Sequence, residues 1–235
     1  MVAPVADGTL QLTIPLEARV LHRFDNFHTG ANGELVGLLK TLAEKGGALG
    51  LWLRGEAASG RTHLLEASCQ AAEQAGRRAI YVPLAELPAS PGVLDALEAD
   101  LIALDDVDAW LGELELEAAL MALYQNQLQS HGQLLVCSSR TALQADFVLP
   151  DLASRFRALP GYRLQAPDDQ GLRDILFAAA RRQGLTLTDP VLDYWLHRAV
   201  RSLPELLAQL RMLDERALAE QRAVTIPLIK EVLAL

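Results

Sequence analysis

Several things are scarce in this chain of 235 residues, and each shortage removes a class of protein. There are two cysteines, Cys69 and Cys137, both in apolar segments and without a partner at metal-ligand spacing. They exclude a disulfide framework and a thiolate metal centre, and read as small buried hydrophobes in a reducing compartment. No apolar run approaches the length that spans a bilayer. The opening MVAPVADGTL lacks the charged start and long apolar stretch of a signal peptide, which predicts a soluble, cytoplasmic protein. Positive charge is in deficit: 21 Lys and Arg stand against 30 Asp and Glu, for a net charge of -9. That balance argues against a large nucleic-acid surface. The five histidines are scattered, so no metal centre is expected from them.

What remains is a chain with 51% hydrophobic residues, enough to bury a core in one large domain or in a medium domain with a small companion. Residues 1–10 read as a flexible tail. In FDNFHTGANGELVGLLKTLAEKGG, Leu35, Leu38, Leu39 and Leu42 repeat at helical spacing, and Gly46 and Gly47 close the helix. The chain then alternates: strand candidates ALGLWL, AIYVPL, DLIALDD, QLLVCSS and YRLQ, with helices THLLEASCQAAEQAG and ELELEAALMALYQNQLQ among them. This rhythm predicts an α/β fold, a mostly parallel sheet with helices on both faces. LASRFRALPG is read as a short basic segment before the fifth strand. From Asp168 the strands stop and four helical stretches follow, separated by Gly184, Pro190, Pro204 and Pro227. The expected division is a tail over 1–19, a nucleotide-binding α/β domain over 20–166 and a small all-helical lid over 167–235.

The stretch GEAASGRTH, residues 55–63, matches the phosphate-loop pattern G-x-x-x-x-G-K-[ST] at Gly55, Gly60 and Thr62, with Arg61 in place of lysine. It stands between a strand and a helix, the context such a loop requires. Backbone amides from Ala58, Ser59, Gly60, Arg61 and His63 would cradle phosphates, and the Thr62 hydroxyl would ligate Mg2+. The plainer alternative is an ordinary glycine turn. The His63 side chain is given no chemistry. Asp105 and Asp106 end an apolar strand, at the mouth where open α/β sheets bind ligands. Asp105 would hold the metal, directly or through water, and Asp106 would orient an attacking water, unless both simply cap a loop. Ser138 and Ser139 close the next strand, where a hydroxyl would meet the γ-phosphate or the water. Arg155 and Arg157 form either a solvated face or a contribution to a neighbour's active site.

In this order the residues resemble an AAA+ module of the bacterial replication-initiator DnaA family. FDNF with Gly30 and Asn32 resembles the box that borders the adenine, which implies Phe27 at the base. GEAASGRTHLL resembles the phosphate loop, LIALDD the second acidic motif, and LLVCSSR the first sensor strand. LASRF resembles the box bearing the arginine finger, which maps onto Arg155. The resemblance runs from about residue 20 to the end. Three departures, Arg61 for lysine, no DNA-binding domain after the lid, and the start QLTIPL, are together similar to the Hda family of DnaA-related regulators. QLTIPL resembles the peptide that docks on the bacterial sliding clamp, the β subunit of DNA polymerase III, through Gln11, Leu12, Ile14 and Leu16; its plainer reading is an edge strand. Pro204 stands where the lid's second-sensor arginine is expected and Arg201 is the nearest substitute, so that sensor is unassigned.

The resemblance implies a negative regulator of replication initiation that is ADP-bound, docks on the clamp and stimulates ATP hydrolysis by DnaA. Its own hydrolysis would be weak or lost. Arginine suits bidentate contacts to a diphosphate, yet crowds a γ-phosphate. ADP, or ATP with Mg2+, is the expected ligand, with DnaA, the clamp and a further copy of the chain as partners and no sequence-specific DNA contact. The alternatives are a self-sufficient ATPase resembling a helicase loader and a nucleotide-free scaffold bridging clamp and initiator.

Overall fold

Alternation at period 2 decides how the sheet is covered. In β1 (Gly50–Arg54), Leu51 and Leu53 point to one face and Trp52 to the other, and all three are buried. A strand apolar on both sides must be central, and β1 lies between β4 (Gln133–Ser138) and β5 (Gly161–Arg163). With β2 (Ala79–Pro83) and β3 (Leu101–Asp105) the order is β2-β3-β4-β1-β5, and every pairing is parallel. This computed structural model describes residues 22–234. The clamp-motif residues Gln11, Leu12, Ile14 and Leu16 lie outside the described residues.

Each sheet face carries its own core. On one side, α1 (Gly33–Lys45) and α2 (Arg61–Gln74) lay Leu35, Leu39, Leu42, Leu64 and Leu65 against Leu51, Leu53, Ala103 and Leu135. On the other, Trp52, Ile102, Leu104 and Val136 meet α3 (Leu114–Gln129) and Phe156. Burying one such side chain is worth about 1.5–3 kcal/mol. The segment LASRFRALPG, read only as a short basic segment, proves to be largely helical. Pro150 opens helix α4 (Pro150–Arg157), and Leu152, Ala153 and Phe156 make its buried stripe.

Register sets the site. Arg54 pairs with Ser138, and Leu104 pairs with Val136, so the C-terminal ends of β1, β3 and β4 stand side by side. Beyond β5, α5 (Asp169–Arg182), α6 (Asp189–Leu196), α7 (Leu203–Glu220) and α8 (Ile226–Leu233) enclose a separate core around Leu176, Trp195, Leu206, Leu210 and Leu228. Asp168 caps α5 by accepting from the Gly171 amide at 2.8 Å. The N-terminal segment contacts both the lid and the residues just before it. The Asn32 side chain donates to Gln165 O at 3.0 Å and accepts from Gln165 N at 2.9 Å. Gly171 lies so close to His28 that a Cβ there would come within 2.9 Å of its Nε2.

Candidate nucleotide-binding site

Residues 55–60 form a loop between β1 and the first turn of α2. Its backbone is held in unusual conformations, Ala58 at φ +62° and Gly60 at φ +98°. Gly60 is required twice over: its φ is unfavourable for L side chains, and a Cβ would meet Phe27 Cε2 at 2.8 Å. The Ser59 amide closes a turn onto Glu56 O at 3.2 Å, whereas the Ala57, Ala58 and Gly60 amides find no acceptor among the described residues. Together with the opening turn of α2, whose amides lack intrahelical partners, these donors form an anion-binding concavity.

The carboxylates stand opposite. Asp105 is buried at the end of β3, and its Oδ2 accepts from Thr62 Oγ1 at 2.6 Å and from the Tyr81 hydroxyl at 3.0 Å. Its Oδ1 accepts from the Asp106 amide at 3.0 Å. Burial and the neighbouring Asp105 carboxylate push the Tyr81 hydroxyl far above the usual phenol range, so it stays a donor. A hydroxyl and a buried carboxylate in contact are the donor pair that holds Mg2+ beside a phosphate. Asp106 sits in the left-handed region at φ +49° and faces Arg61, with Nη2 to Oδ1 at 3.2 Å. Burial and the adjacent Asp105 raise the Asp106 pKa, and the Arg61 guanidinium opposes that shift.

Two buried polar atoms at this site have no hydrogen-bond partner: Ser59 Oγ and Arg61 Nη1. Unpartnered buried donors are costly in a folded protein. Both lie in or directly after the loop, and a phosphate group supplies the acceptors they lack. The residues present therefore fit a nucleotide phosphate with Mg2+ on Thr62 and Asp105.

The remaining expected residues are distributed around this centre. His63 turns away from the phosphate side: its Nε2 lies 2.9 Å from Arg23 O, and its ring stacks on His22 and meets the edge of Phe27. Burial lowers its pKa, which favours the neutral ring. Phe27 thus stands between the loop glycine and the imidazole pair. The Ser138 hydroxyl donates to Asp108 Oδ1 at 2.7 Å and accepts from the Arg140 amide at 2.9 Å, so its proton is committed within the protein. Ser139 joins it, amide and hydroxyl both donating to Asp108 Oδ2.

Arg155 and Arg157 separate sharply. Arg157 is docked on its own domain, Nε donating to Ala142 O at 3.2 Å with the guanidinium over the Phe147 ring. Arg155 is exposed and its guanidinium has no partner among the described residues. On the lid, Arg201 pairs with Asp169 at 2.6 Å, and Pro204 occupies the first turn of α7, where its missing amide proton removes no helical bond.

Three participants escaped the sequence reading. Asp108, three residues beyond Asp105, anchors the start of the segment between β4 and α4. Glu117, fully buried in α3, accepts from the amides of Gly112 at 2.8 Å, Val148 at 3.0 Å and Leu149 at 2.6 Å, and so anchors its end. Tyr81 reaches Asp105 from the neighbouring strand. The acidic spacing at Asp108 was a usable signal; Glu117 and Tyr81 become visible only once strand register is known.

Residues 168–233 match the family model of the Hda lid domain. The whole fold is similar to domain III of the replication initiation protein DnaA of Thermotoga maritima, with a TM-score of 0.78 and 20% identity over 91% of this chain and 95% of that one. The AMPPCP-bound DnaA of Aquifex aeolicus aligns with a TM-score of 0.67 and 21% identity, over 85% of this chain and 69% of that one. A Thermotoga maritima RuvB structure aligns with a TM-score of 0.67 and 17% identity, over 91% and 71%. The fold is that of these DnaA and RuvB structures. Among the described residues no helix is long and apolar enough to cross a membrane.

Proposed function

We propose that this chain is a DnaA-related regulator of replication initiation, which binds ADP as a structural ligand and lends Arg155 to the ATP site of DnaA. The Hda lid match and the DnaA-like AAA+ fold together support a DnaA-related replication regulator of the Hda type. The single observation that carries the finer reading is the contrast in α4: Arg157 is docked on its own domain, while Arg155 projects unpaired into solvent. A guanidinium without a partner among the described residues is available to a neighbour.

The chemistry then divides between two proteins. DnaA would supply the ATP and its own phosphate-loop residues. This chain would supply a fixed positive charge where negative charge develops on the transferred phosphoryl group, a contribution worth about 10³ to 10⁵ in rate. In this protein's own site the bound nucleotide would satisfy Ser59 and Arg61 and join the loop to the lid, a role of binding and not of turnover. A sliding clamp gripped through Gln11, Leu12, Ile14 and Leu16 would bring the regulator to its partner.

The test is single-turnover hydrolysis of labelled ATP preloaded on DnaA, with this protein, ADP and clamp loaded on DNA. Acceleration by the unaltered protein, lost in Arg155→Ala with ADP and clamp affinity retained, is the expected result. Acceleration that survives the substitution overturns the arginine-finger reading. Gln11→Ala should weaken clamp binding; unchanged affinity removes the docking peptide. One observation favours a second reading: Thr62 and Asp105 form a complete metal-binding pair. A self-sufficient ATPase would use it, and robust steady-state turnover by the isolated protein would identify one.

A further inference from the structure

Arg61 is shared between two obligations, and only one of them is met inside the protein. Its Nη2 faces Asp106 Oδ1 at 3.2 Å, while Nη1 is buried with no acceptor. The side chain is 14% exposed, so water does not replace the missing partner. A planar guanidinium grips a phosphate best through two parallel N–H bonds. With Nη2 paired to a carboxylate, the Nη1 group of this arginine is left for a ligand.

Charge bears on the same point. Asp105, Asp106 and Asp108 lie together at the mouth of the sheet, and Arg61 is the one cation paired with any of them among the described residues. A diphosphate needs only the free Nη1 and the loop amides. A third phosphate adds negative charge beside these acids, and recruiting Arg61 fully to it requires breaking the pair with Asp106. Asp106 sits in the left-handed region at φ +49°, which suits Asp and Asn and resists most other side chains.

We infer that Asp106 is the specificity-determining residue of this site, selecting a nucleoside diphosphate over a triphosphate by pairing with Nη2 of Arg61. This rests on the nucleotide-binding reading above and deepens it. It also gives Asp106 a purpose other than orienting a water: the carboxylate acts on the arginine and leaves the reacting atoms alone.

The experiment is direct binding by titration calorimetry, with ADP and with the non-hydrolysable triphosphate AMPPCP, each with Mg2+, to the full chain and to Asp106→Asn. Asparagine tolerates the same backbone conformation, so the variant retains the local fold, and a thermal melt checks it. The unaltered protein should prefer ADP, and Asp106→Asn should narrow the ADP-to-AMPPCP affinity ratio by about tenfold, chiefly through tighter AMPPCP binding. An affinity ratio unchanged in Asp106→Asn, with both ligands still bound, overturns the inference and leaves nucleotide binding standing. Failure of the unaltered protein to bind either ligand overturns both.

Discussion

Arg61 and Thr62 open α2 together, yet their side chains answer to different carboxylates, Asp106 and Asp105. That division gives the two positions separable phenotypes. Arg61→Ala removes the guanidinium whose Nη1 lacks a partner, and with it a charge-assisted bond to the ligand worth about 1.5–3 kcal/mol. ADP affinity should fall by about one to two powers of ten in calorimetry, while the melting temperature without ligand changes little, because the half-exposed Asp106 regains water. A large loss of stability without ligand would make Arg61 structural. Gly60, Arg61 and Thr62 were legible in the sequence because a phosphate loop is a local pattern. The partner of Arg61 was not legible as such: the doublet Asp105-Asp106 was visible, but which of the two faces the arginine depends on the turn that Asp106 makes.

The element that matters most for the proposed reaction is α4, and its placement depends on two carboxylates outside it. Asp108 holds Ser138 and Ser139 at the start of the preceding segment, and Glu117 holds the Val148 and Leu149 amides at its end. Leu149 is the N-cap residue of the helix that carries Arg155. Glu117→Ala would leave the Gly112, Val148 and Leu149 amides without their carboxylate acceptor, at a cost of about 1–3 kcal/mol in denaturant unfolding. Amide exchange at Val148 and Leu149 should accelerate beyond the global change. Protection equal to that of the unaltered chain would show that the segment is held by packing alone. Reading LASRFRALPG only as a short basic segment left this helix unassigned because its apolar stripe is only Leu152, Ala153 and Phe156, too short for periodicity to separate from a loop. The five strands were legible for the opposite reason, since runs such as LIAL are apolar on both faces and bounded by polar residues.

Across the whole molecule, the N-terminal segment meets both domains: Asn32 clasps Gln165 just before the lid, and His28 seats against Gly171 of the lid. The nucleotide loop lies next to Phe27, which belongs to the same N-terminal segment as both tethers. Ligand binding should therefore stabilise the chain as well as fill the site. At an ADP concentration about one hundredfold above the dissociation constant, the gain expected from mass action is about 2.7 kcal/mol. A thermal melt should record it for the unaltered chain and show it reduced in Arg61→Ala at the same ADP concentration. No ADP-dependent shift in the unaltered chain would favour the nucleotide-free scaffold.

The five strands, the helices other than α4, the glycine loop, the acidic doublet and the change to an all-helical C-terminal region were determined by the sequence alone. Each is a local property, set by side-chain period, backbone permissiveness or proline and glycine punctuation. Tertiary structure alone decided that Ser138 gives its proton to Asp108, that Glu117 fastens the approach to α4, that Asp106 takes one edge of Arg61, and that Arg155 is left unpaired where Arg157 is not. Those outcomes depend on which strand ends lie adjacent in the order β2-β3-β4-β1-β5. Adjacency brings together charges far apart along the chain, and the low dielectric between them then makes each pairing, or its absence, count.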